Sequence, residues 1–248
     1  MNQSSSIPFL GVKSDVDVRA SRYMRGVYLL MASGVALSGL VAYTLLATGL
    51  MTSLVMTGGQ AFAWGVFGVQ LLTLLAFGPI AQKASIGTLY GLFYFYAAVT
   101  GVTLGFAGMV YSAASMVNIF FMAAFAFAGL VVFGQVTKRS LGVIGTFASQ
   151  ALLMLLAMSL IFALLTLVPA AAPYLPSLDF GLASIGIVVF AGLTAYESQK
   201  VRRMAYELAE QTVSDSTEAR YTVIFALNMY LNFINIFLNA LRLFGRRR

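Results

Sequence analysis

The chain has 248 residues, of which 60% are hydrophobic and only 9% charged, with a formal net charge of +7 and no cysteine or histidine. Soluble domains carry roughly 25% charged residues, so a water-exposed globule is excluded, and a bilayer is the solvent that accommodates this composition. The missing Cys and His exclude disulfides, thiolate chemistry, the commonest general base and the commonest transition-metal ligand.

Residues 1–25 form a polar N-terminal segment carrying Lys13, Arg19, Arg22 and Arg25. Residues 26–248 then read as one membrane domain. The uncharged runs are Gly26–Gln82 (57 residues), Ala84–Thr137 (54), Ser140–Leu178 (39), Phe180–Tyr196 (17) and Tyr221–Leu241 (21). A spanning helix takes about 20 residues, so the first two runs hold two spans each and the other three hold one each. The expected fold class is therefore all-α integral membrane, with seven transmembrane helices.

Span one runs from Val27 to about Thr48. It is too long for a signal-peptide core and is read as uncleaved. An uncharged link containing Gly58-Gly59 leads to span two, about 61–81, which Lys83 closes. Span three covers about 86–110, and the link Tyr111–Ser115 leads to span four, about 117–136, closed by Lys138-Arg139. Span five covers about 141–168. A link with Pro169, Pro173 and Pro176 precedes span six, about 178–197, and the charged segment Lys200–Arg220 precedes span seven, about 221–241. Basic residues follow the N-terminus and the even-numbered spans, while the odd-numbered links carry none. This pattern places the N-terminus in the cytoplasm. Seven full spans put Arg246-Arg247-Arg248 on the outer side, against that rule, and a re-entrant last segment is the alternative. The reading favours seven spans. Small residues, including the Gly101-xxx-Gly105 step, predict close helix packing, and Trp64 with most phenylalanines is assigned to lipid contact or packing.

Two polar features stand out. Asn228, Asn232, Asn235 and Asn239 recur at steps of four, three and four, which puts all four on one face of span seven. Amides facing lipid are costly, so the stripe faces the bundle interior, either as inter-helix glue or as the lining of a wet path. Glu197 abuts the cytoplasmic end of span six. It reads either as an interfacial acid paired with Lys200 or Arg203, or as a buried functional carboxylate. A carboxylate with amide oxygens suits a hard cation or a proton, though one carboxylate alone makes no tight metal site. Asp179 reads as a solvated loop acid. Glu207, Glu210, Asp215 and Glu218 read as a solvated helical face, with partner contact as the alternative.

Three segments carry a resemblance. Phe190-Ala-Gly-Leu-Thr-Ala-Tyr-Glu-Ser-Gln-Lys200, the last-span stretch Ala226–Leu238, and Phe133-Gly-Gln-Val-Thr-Lys-Arg-Ser-Leu141 are similar to signatures of the Bax inhibitor-1 (transmembrane Bax inhibitor motif) family, and the resemblance extends from about Tyr23 to the C-terminus. It implies seven helices with the seventh central and wrapped by the other six. It also implies calcium leak with pH sensitivity, through an aspartate on span six and another on span seven that share a proton. Those positions fall on Glu197 and Asn232 here. Two close carboxylates titrate as a coupled pair, and an acid with an amide does not, so this chain departs from the family's switch. A Glu197–Asn232 hydrogen bond is the expected substitute. The family's basic residue near the end of span two falls nearest Lys83.

The sequence reading is thus a bacterial inner-membrane protein that passes Ca2+ or H+ without a bound cofactor or tightly held metal. Glu197 and Asn232 form its gate, and Asn228, Asn235 and Asn239 form its polar face. The alternative is a non-transporting regulator of a membrane-bound ATP-dependent protease or another membrane partner. Nucleic acid is not an expected partner. No enzyme is expected either, since there is no Gly-Lys-Ser/Thr phosphate loop and no clustered carboxylate pair.

Overall fold

The computed structural model describes residues 15–211 and 213–247; Lys13 and the other residues before 15, with Arg248, lie outside the described residues. Eight helical elements follow in chain order: α1 (Asp15–Ala47), α2 (Leu50–Lys83), α3 (Ile86–Val110), α4 (Ala113–Val136), α5 (Gly142–Leu165), a 3-10 turn (Pro169–Tyr174), α6 (Leu175–Glu210) and α7 (Asp215–Phe244). Seven of them are long and apolar enough to cross a bilayer, in agreement with the expected all-α, seven-span class.

The helices overrun the expected spans. Gly58-Gly59 is not the link between spans one and two. The chain turns instead at Thr48-Gly49, where Gly49 has φ 71°, and Gly59 is a kink inside α2 with φ 53°. Only glycine adopts that backbone at low cost. Most of the charged segment Lys200–Arg220 is also helical. α6 continues to Glu210 and α7 starts at Asp215, because a polar helix is as regular as an apolar one once it leaves the hydrocarbon. The uncharged links are closed by serine caps: Ser85 Oγ accepts from Thr88 N at 3.2 Å, and Ser112 Oγ accepts from Ser115 N at 3.3 Å. Each satisfies one of the orphan donors at its helix start.

α7 is the buried helix. In its apolar window 72% of residues are buried, against 44% or less in every other span. It packs on α6, α1, α4 and α3. α2 packs on α3 and α1, and α5 packs on α6, but neither has an extended interface with α7. The seventh helix is therefore central, as expected, yet closely wrapped by four helices rather than six. The centre is pinned by Tyr230, whose ring meets Phe93 and Tyr96 edge-on and whose hydroxyl lies 2.7 Å from Ser38 Oγ. Ser38 donates in turn to Ala97 O at 2.7 Å. The Gly101-xxx-Gly105 step does allow close helix packing: a Cβ on Gly101 would lie 2.8 Å from Ser38 O on α1, and one on Gly105 would lie 3.1 Å from Met51 Sδ on α2.

The chain ends settle the topology of the last helix. At one end of the bundle Arg220 donates to Ala81 O and Ala84 O, at 2.8 and 2.6 Å. This closes the C-terminus of α2 against the start of α7. At the other end Ser112 N donates to Arg246 O at 3.1 Å, and Arg246 N donates to Ser115 Oγ at 3.0 Å. α7 therefore crosses from the α2 C-terminus to the α3–α4 link, which fits a full span and not a re-entrant hairpin.

Candidate functional site

The segment Tyr196–Lys200 sits where α6 meets α4 and α5, and most of it is structural. Gly134 on α4 lets α6 approach so closely that a Cβ there would meet Ala195 O at 2.2 Å. Ser198 Oγ donates to Val131 O at 2.8 Å and lies 3.0 Å from Tyr28 Oη, which accepts from Gln135 Nε2 at 2.9 Å. Gln199 holds the α4–α5 link: its Oε1 accepts from Leu141 N and its Nε2 donates to Arg139 O, both at 2.9 Å. Arg202 donates to Gln135 O.

Glu197 differs from these neighbours. The residue is 9% exposed. Its Oε1 accepts from Lys200 Nζ at 3.1 Å, and its Oε2 is buried with no hydrogen-bond partner. Of the two expected partners, Lys200 takes the pair. Arg203 does not, because it donates to Gln199 Oε1 at 3.1 Å and reaches Ser140 Oγ at 3.5 Å. Lys83 is exposed in the last turn of α2 and makes no ion pair among the described residues. Lys200 also lies over the rings of Tyr196 and Phe225, 5.3 and 5.7 Å from their centroids. The aromatic faces hold its ammonium in place beside the carboxylate.

Glu197 lines a cavity of about 420 Å³ together with Asn228, Asn232 and Asn235. α7 forms one wall, and α2, α3, α5 and α6 supply the rest, including Gln70, Tyr96 and Ser149. The cavity lies where α2 and α5 stand off α7. It brings Glu197 and Asn232 together, as expected, but the expected hydrogen bond between them is not made. A second cavity of about 100 Å³ shares Asn235 with the first and adds Ser159, Asn239 and Arg242. Arg242 lies 3.9 Å from Asp179. Asp179 is thus a paired residue inside α6, not a solvated loop acid, because α6 starts earlier than the proline-rich link implied.

Two members of the asparagine stripe bond within their own helix rather than across helices. Asn235 Nδ2 donates to Leu231 O and Asn239 Nδ2 to Asn235 O, both at 2.8 Å and both within α7. Bonding back to the preceding turn satisfies one N–H of each of these two amides and leaves their side-chain carbonyl oxygens for whatever enters the cavities. Asn239 is accommodated by Gly186 on α6, where a Cβ would meet Asn239 Nδ2 at 2.6 Å. Sequence reasoning missed Gln70, which ties α2 to α3 by donating to Thr100 Oγ1 and accepting from Thr103 Oγ1, each at 3.1 Å. A lone amide in an otherwise apolar span was the available signal. Ser198, Gln199 and Arg220 were also missed as contacts.

An all-helical bundle of seven spanning-length helices, with a half-paired carboxylate and a row of amides lining clefts between the helices, defines a polytopic membrane protein with polar groups inside its bundle. Comparison with known proteins specifies which kind. The sequence matches the family described as "Inhibitor of apoptosis-promoting Bax1" over residues 20–248. It is 34% identical over 226 residues to "Inner membrane protein YbhL" of Escherichia coli (strain K12), covering 91% of this chain and 92% of that protein. It is also 31% identical to an uncharacterized protein of Rickettsia prowazekii, over 92% of this chain and 90% of that one. The chain belongs to the Bax inhibitor-1 family.

Proposed function

We propose that this chain is a multi-pass protein of a bacterial inner membrane that lets cations, Ca2+ in particular, run down their gradient through the Glu197–asparagine cavity. The carrying observation is Glu197 itself, which lines a cavity together with three asparagines and whose Oε2 is buried with no protein donor. A buried carboxylate with one oxygen left unsatisfied is costly, and an ionisable residue at this depth is a candidate for a visiting cation or proton. Among the described residues no three His, Cys, Asp or Glu cluster to hold a metal. One carboxylate with amide oxygens therefore supports transit rather than storage.

The polar track has a latch at each end. Lys200 pairs with Glu197 at the basic end and Arg242 faces Asp179 at the other. The basic end carries Arg19, Arg22, Arg25, Lys83, Lys138, Arg139, Arg202, Arg203 and Arg220. The positive-inside rule assigns that end, with the N-terminus, to the cytoplasm. The inner-membrane assignment rests on the composition and on the named location of the Escherichia coli relative. Calcium flux into proteoliposomes, compared between wild type and Glu197→Ala, tests the reading. Flux unchanged by the substitution removes Glu197 from the path.

The second reading, a non-transporting regulator of a membrane-bound ATP-dependent protease, is favoured by the exposed acids Glu207, Glu210 and Asp215, which flank the α6–α7 turn. Affinity capture from detergent extracts separates the two. Recovery of a protease without ion flux supports the regulator, and flux without a captured protease defeats it.

A further inference from the structure

The second large cavity lies away from the site just described. It is a groove of about 490 Å³ between α1 and α4, floored by α7 and lined by apolar side chains from Val35 to Leu46 on α1 and from Ala113 to Phe121 on α4. Phe233, Ile234 and Phe237 form its floor, and α1 and α4 have no extended interface to close it. At 1.5 Å per residue, eleven steps along α1 measure about 17 Å. That is roughly half of the ~30 Å hydrocarbon core, the depth of one leaflet.

The arginine tail lies beside one end of the groove. The C-terminal tail is fastened there through its backbone: Arg246 bonds to Ser112 and Ser115, and Arg247 bridges Tyr111 in antiparallel fashion. The neighbouring residues Ala113, Met116 and Val117 line the groove. Because the backbone makes the attachment, the exposed Arg246 and Arg247 side chains remain available. Neither makes an ion pair among the described residues. The one acid described at that end, Asp179, faces Arg242.

We propose that this groove is a binding site for a phospholipid with an anionic headgroup. One acyl chain lies between α1 and α4, and the phosphate sits against Arg246 and Arg247. A one-leaflet apolar slot with two unpaired guanidinium groups at its outer end matches both halves of such a molecule. Arginine binds phosphate in bidentate fashion, and the apolar lining takes the chain. The pair also gives the arginine-rich tail, which runs against the positive-inside pattern, a counter-charge on its own side of the membrane.

Native mass spectrometry of the full chain in a mild detergent tests this, with dioleoyl phosphatidylglycerol, dioleoyl phosphatidylcholine or glycerol 3-phosphate added. The expected result is retention of phosphatidylglycerol several-fold above phosphatidylcholine, and no competition from glycerol 3-phosphate, which has no chain to fill the groove. Arg246→Gln with Arg247→Gln leaves the backbone attachment intact and lowers phosphatidylglycerol retention about fivefold for each arginine lost. Gly39→Leu fills the groove, since a Cβ at Gly39 meets nothing within 4 Å, and it reduces retention of both lipids while circular dichroism and the melting midpoint hold. Equal retention of the two lipids by the wild type would overturn the proposal. So would undiminished phosphatidylglycerol binding by the arginine variant, or a second copy of the chain in place of lipid adducts.

Discussion

Lys200 holds only one of the two carboxylate oxygens of Glu197. Nζ is 3.1 Å from Oε1, and Oε2 is buried and unbonded. The pair is asymmetric because Lys200 is one turn further along α6, towards the exposed end, while Glu197 points its other oxygen into the bundle. The lysine side chain is 40% exposed and the glutamate side chain 12%, so the pair spans the boundary between solvent and interior.

Removing the lysine strands the glutamate. Lys200→Met is expected to lower stability by about 1–2 kcal/mol, less than the full cost of breaking a buried pair because the lysine is partly solvated. Lys200→Met with Glu197→Gln should recover most of that loss. Thermal unfolding of the wild type, Lys200→Met, Glu197→Gln and the double variant in one detergent measures it, and a double variant no more stable than Lys200→Met would show that the charge is not what matters.

Asn232→Asp places a second carboxylate on the cavity that Glu197 borders. Two carboxylates in one site retain a proton that a single acid and an amide would not share. Protons then compete with the cation, so cation flux through the variant should fall as pH falls, with the wild type changing less. Proteoliposome flux measured across pH 5–8 decides the matter; parallel profiles would remove the coupled-acid argument from this chain.

The cavity should be wet. Because the chain has no native cysteine, Asn228→Cys and Asn235→Cys each introduce one reporter. Both are expected to react with a small water-soluble thiol reagent in intact proteoliposomes. Met229→Cys, fully buried on α7, should react far more slowly. Equal rates at the three positions would mean that the asparagine face lines no aqueous space.

Gly134 sets the distance between α4 and α6. Gly134→Leu forces the two backbones apart, since even a Cβ would meet Ala195 O at 2.2 Å. It is expected to destabilise by about 1–3 kcal/mol or more. Gly129, five residues earlier on the same helix, has nothing within 4 Å of its Cβ position, and Gly129→Leu should be tolerated. The melting midpoints of the two variants report the difference directly.

The cap formed by Arg220 makes a local prediction. Two charge-assisted hydrogen bonds close the end of α2, and such bonds contribute about 1.5–3 kcal/mol. In Arg220→Met the last turn of α2 should exchange amide hydrogens faster while the middle of α7 does not. Uniform acceleration across the chain would show a global effect instead.

Hydrophobicity and charge spacing alone determined that seven helices cross a bilayer, because lipid solvates side chains one at a time and each span's length is set by the hydrocarbon thickness. The spacing of Asn228, Asn232, Asn235 and Asn239 likewise determined that they share a face, since helix geometry is local. Tertiary structure decided what that face touches. The sequence left open whether the amides joined helices or lined a space, and only the stand-off of α2 and α5 from α7 made it a space. It also chose Lys200 over Arg203 for Glu197, left Glu197 and Asn232 unbonded across a shared cavity, and carried α7 through to the α3–α4 link. Those outcomes depend on where backbones approach closely enough to exclude one another, at Gly101 and Gly134, and on where a glycine admits a side chain, as Gly186 admits Asn239, and a contact between distant segments has no signature in the spacing of either one.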